Sequence, residues 1–73
     1  MARREEEQRE KLEALLDHGI EHNEDHRNEI DEWADTAQEL GEIKAQKLLQ
    51  EASRSIDEGV TKLTEALDLL KEG

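Results

Sequence analysis

The chain has no cysteine, no proline, no phenylalanine and no tyrosine, and apart from its histidines its only aromatic residue is Trp33. Each absence closes a route. Without cysteine there can be neither a disulfide framework nor a thiolate metal site, so any ion would be held by imidazole and carboxylate, and the redox compartment is left open. Without proline, nothing breaks a helix from within. Hydrophobic residues make up 33% of 73 positions and charged ones 42%, so the chain builds one small domain with a thin core. No apolar run approaches the ~20 residues of a membrane span, and the acidic start does not read as a secretion signal. Basic residues are also scarce, 10 against 21 acids, giving a net charge of −11. Such a surface repels phosphate backbones and anionic lipid heads and attracts cations. Neither nucleic acid nor membrane is expected as a partner, and a cytoplasmic location is the natural expectation.

What remains is material for long helices, coiled-coil-like or bundled. Residues 1–11 form a charged, solvated helical lead-in. Leu12, Leu15, Leu16, Ile20, Ile30, Trp33, Ala34, Ala37 and Leu40 then recur at spacings of three and four, which predicts one amphipathic helix to about residue 40. Gly41 stands where a left-handed C-terminal stop belongs. From Ile43 to Leu70 a second apolar stripe predicts helix 2 over about 42–71. Residues 12–73 therefore read as an all-α antiparallel two-helix hairpin. A straight helical wheel centres the first stripe on Leu12, Ile30 and Ala37. Facing pairs then become Trp33 with Leu49, Ile30 with Ala52, Leu16 with Ala66, Leu12 with Leu70 and Asn23 with Gly59. Trp33 is expected in the core near the turn, and Ser53, Ser55, Thr61 and Thr64 at partly exposed positions. Two helices meet along one line only, so pairing of two hairpins into a homodimeric four-helix bundle is expected, with docking on another protein as the alternative.

Function is concentrated between Asp17 and Glu29, where His18, His22 and His26 recur every fourth residue, each preceded by an acid. Four residues turn a helix by about 400°, so the three imidazoles form a slanting ridge that runs towards the buried side. Neighbouring histidines on such a ridge can share one divalent ion, because neutral imidazole is a good ligand for nickel, zinc, copper and cobalt. His22 with His26 is the better pair, His18 with His22 the exposed one, and His18 with His26 are about 12 Å apart along the axis, too far for one ion. Asp25 and Glu29, three residues after His22 and His26, could serve as additional ligands or as acceptors for a ring N–H. Helix 2 offers only Ser53 and Ser55 opposite, so further ligands would come from a second chain, giving a four-histidine site near a dimer axis. Gly19 and Gly59 leave room beside this polar layer. Enzymatic activity is not expected: Ser53 or Ser55 paired with His26 has neither an enclosed pocket nor oxyanion donors. The competing reading is a non-catalytic interaction or oligomerisation module, a description that would also fit a designed helical bundle.

These residues resemble a small helical-hairpin domain of unassigned function, with a signature like HWIEHNEEH followed by a tryptophan and a Leu-Gly turn. The matching positions are His18, Ile20, Glu21, His22, Asn23, Glu24 and His26, then Trp33 and Leu40-Gly41, within a segment from Leu12 to about Leu70. Gly19 departs from the pattern, where tryptophan is expected. The resemblance implies a link to nickel-handling accessory proteins, and with it a metallochaperone-like or metal-sensing role.

Overall fold

A computed structural model describes residues 2–72 and contains two helices, α1 (Ala2–Glu39) and α2 (Ile43–Glu72). They pack side by side as an antiparallel hairpin, a rod measuring 59 × 14 × 13 Å. The charged lead-in is the first part of α1. Among the described residues no helix is long and apolar enough to cross a membrane.

The turn is built by Gly41, the one described residue with positive φ, at 76°. Its N–H donates to Gln38 O at 3.0 Å and the Glu42 N–H donates to Ala37 O at 2.8 Å. These are the two bonds of a Schellman cap, and they satisfy carbonyls that the end of α1 would otherwise leave unpaired. The Gln46 N–H then bonds to Glu42 O at 2.9 Å and starts α2. Lys71 in the last turn of α2 opposes the partial negative charge there.

Burial follows a seven-residue repeat. In α1 the buried or half-buried residues are Glu13, Leu16, Gly19, Ile20, Asn23, Arg27, Ile30, Ala34 and Ala37, and all but Gly19 lie on one seam. In α2 it is Gln46, Leu49, Ser53, Ile56, Val60, Leu63, Leu67 and Leu70. Steps of three and four alternate without a break, as at the a and d positions of a coiled coil. Arg27 pairs with Asp57, and the Ser53 hydroxyl donates to Asp31 Oδ1 at 2.6 Å, so residues whose numbers total 83 or 84 lie level with each other.

Several sequence-based expectations are corrected. Trp33 is 54% exposed, and Ala34, at 4%, takes the seam. The facing pairs change accordingly: Ala34 is level with Leu49, Ile30 with Ser53, Leu16 with Leu67 and Asn23 with Val60. Ser53 is buried at 7%, while Ser55, Thr61 and Thr64 are exposed. The cause is the period. A wheel of 3.6 residues per turn superposes Leu12 and Ile30, whereas a 3.5-residue repeat separates them by about 50°. α1 is therefore rolled about its axis, and Leu12, His26 and Trp33 move to its flank.

The resulting core is thin. Among the described residues only Ala34, Ala37 and Leu67 are buried apolar residues, and no side chain is fully buried. Leu12, Leu15, Trp33, Leu40, Ile43, Leu48 and Leu69 are all 45% to 72% exposed.

Candidate metal centre

The histidines lie on a continuous stretch of α1 with no turn to spread them, so their geometry follows from the helix itself. His22 and His26 are one turn apart, and their rings meet edge-on with centroids 4.4 Å apart. Their Nε2 atoms approach to 3.0 Å. His18 stacks on His22 at 6.4 Å between centroids, near-parallel at 14°, and forms no hydrogen bond among the described residues. The structure thus joins His22 with His26 and leaves His18 beside them.

The surroundings are open. His22 and His26 are both exposed, the His26 side chain by 49%, so the ridge skirts the seam instead of entering it. Glu29 Oε2 lies 3.7 Å from His26 Nδ1, on the side of the ring away from His22. That is the place of a carboxylate that orients an imidazole ligand through its other nitrogen, at slightly more than hydrogen-bond distance. Asp25 is exposed and forms no hydrogen bond or ion pair among the described residues. The expected polar layer divides in two. Asn23, half-buried, donates from Nδ2 to Gly19 O at 2.7 Å and so is satisfied within α1. Arg27, the next seam residue, turns to Asp57, whose hydrogen bond and charge raise the guanidinium pKa above its usual value and keep it cationic. No described buried side-chain nitrogen or oxygen lacks a partner.

The distance between the two nitrogens fits an ion. Ligands about 2.1 Å from one metal are ~3.0 Å apart at a right angle and ~3.4 Å apart at a tetrahedral angle. The 3.0 Å separation therefore suits adjacent positions on one nickel centre and needs a few tenths of an ångström to suit zinc. Two ligands do not complete either shell. Among the described residues no group of three or more His, Cys, Asp or Glu side chains is placed to hold one ion.

The family described as Domain of unknown function (DUF8180) matches residues 12–70. The chain belongs to this family. The DUF8180 match covers the part of the molecule where α1 and α2 run side by side, since Leu12 lies level with Glu72, and it omits the lead-in that extends beyond α2. No curated protein and no solved structure matches the chain.

One feature the sequence reading missed is the Asp31–Ser53 bond, which puts a carboxylate beside the seam, five residues after His26 and on the opposite flank. Its signal was a serine in register with the apolar residues of helix 2.

Proposed function

We propose that this DUF8180 chain binds a divalent transition metal, nickel or zinc, through His22 and His26, and that it carries or senses the ion without using it in catalysis. The observation that carries the reading is the 3.0 Å approach of the two Nε2 atoms. Neutral nitrogens at that distance either share one proton or converge on one cation, and the net charge of −11 draws cations to the rod. An exposed, incompletely ligated site suits uptake and release, because a ligand from a donor or acceptor protein can enter the open positions. Glu29 would hold the His26 ring in its ligating orientation.

The test is titration of the chain with zinc or nickel at pH 7.5, followed by calorimetry. Binding should be saturable, and His22→Ala or His26→Ala should abolish it. His18→Ala should weaken it only slightly. An unchanged isotherm in the His22 and His26 variants would sink the reading. The exposed apolar side chains favour a second reading, a plain interaction module, for which no variant and no ion would alter the behaviour of the chain.

A further inference from the structure

One face of the rod carries the exposed apolar residues and the histidine pair together. With the seam at a and d, the residues at c and g of both helices share one side, as in any antiparallel pair of heptad helices. From α1 this face receives Leu12, Leu15, His22, His26, Trp33 and Leu40. From α2 it receives Leu48 and Leu69 and, at every g position, a small residue: Ala45, Ala52, Gly59 and Ala66. Between residues 12 and 70 its only charges are Glu29 and Lys62, in a chain that is 42% charged. The opposite side carries the Arg27–Asp57 and Asp31–Ser53 pairs and most of the remaining charge.

The spacing on this face is self-complementary. Leu69 lies level with Leu15, and Leu48 level with Thr36. The large side chains thus form one cluster at Leu12, Leu15 and Leu69 and another at Trp33 and Leu48. Leu15 and Trp33 are each nine residues, about 14 Å, from residue 24, the midpoint of His22 and His26. Leu12 and the level of Leu48 are each twelve residues away. From here the inference rests on the proposed metal reading. We infer that a second copy of the chain covers this face about a two-fold axis that crosses the rod level with residue 24, so that His22 and His26 of both copies surround one nickel or zinc ion.

That axis lays α1 antiparallel on α1 of the second copy. Leu15 and Leu69 meet the second copy's Trp33, Leu12 shares a layer with the second copy's Leu48, and Leu40 falls beneath the second copy's lead-in. Only Ile43, on the other flank beside the turn, keeps its exposure. The face is about 36 Å long between the outer layers and two helices, about 20 Å, wide, on the order of 700 Å², close to the ~800 Å² per partner of a stable interface. Gly59 lies almost level with the axis, and a Cβ built there meets nothing within 4 Å, so space is left for the second copy's imidazoles. A parallel arrangement would instead put the two α1 helices on a diagonal and face Leu15 with Leu69.

Sedimentation of the full chain, alone and with zinc or nickel, tests this together with Leu15→Glu, Trp33→Lys and the double variant. The parent should be a dimer that binds one ion per two chains. Each single variant should sediment as a helical monomer by circular dichroism and lose more than about 100-fold in metal affinity, beyond the loss that removal of an outer-shell partner causes. The double variant should regain the dimer and its single ion, because each Glu at 15 then faces a Lys at 33. A parent that is monomeric with and without metal overturns the inference, as does a double variant no better than the singles. Binding of one ion per chain, untouched by Leu15→Glu, overturns it while leaving the His22–His26 reading intact. A dimer that binds neither ion defeats both.

Discussion

At the scale of single residues, the histidine pair, Ser53 and Gly41 each make a claim that experiment can check. Protons compete with a metal ion for imidazole nitrogens, so a metal-induced rise in melting temperature should be larger at pH 7.5 than at pH 5.5. Metal at one hundred times its dissociation constant adds about 2.7 kcal/mol, many degrees for a domain this small, and a differential scanning measurement at the two pH values checks it. A shift that persists undiminished at pH 5.5 would assign the ion to carboxylates. Ser53 is a buried hydroxyl bonded to the carboxylate of Asp31. Ser53→Ala should cost about 1 kcal/mol in urea denaturation, because Asp31 can recover water while the bond itself is lost. Gly41 sits at a φ that disfavours any side chain, and Gly41→Ala should cost about 1 to 2 kcal/mol by the same measurement. Gly41→Asn should cost less, since asparagine tolerates the left-handed region.

At the scale of the helices, the sequence shows how many there are and where they turn, but not how each is rolled. A lone glycine after a long periodic run, with no proline on either side, is sufficient to place the turn. The His22–His26 pair was equally legible, because two residues four apart on a helix meet whatever the rest of the chain does. The roll of α1 was not. It depends on whether the stripe repeats at 3.5 or 3.6 residues, a difference of only ~20° per heptad that accumulates until Trp33 and Ala34 exchange places. With Asn23 and Arg27 in the seam, few apolar residues remained to reveal the period. Gly59 offers a check at this scale. In a bare hairpin Gly59→Ala should stabilise α2 by about 1 kcal/mol, since the added methyl meets nothing. If a second copy covers that surface, the gain should be confined to the monomeric Leu15→Glu background, with no gain in the parent. Urea curves for both backgrounds decide it.

For the whole molecule, the relation between the two seams has a consequence for exchange of helices between copies. Hairpins with tight turns can open into one long helix and swap halves, a common hazard of two-helix proteins. Ala37 ends the seam of α1 and Gln46 begins that of α2, nine residues later. In an unbroken helix nine residues rotate by about 900°, half a turn out of phase, so the two seams would face opposite sides of the straightened rod. A straight partner could then bury one of them and never both. Strain at Gly41 should therefore loosen the hairpin without converting it into an exchanged form. Chains carrying Gly41→Ala, concentrated and then diluted, should show no slowly dissociating species on size-exclusion chromatography. A chain whose turn is weakened thus has nowhere to go but back to the same fold, and its copies meet across their flanks without trading helices.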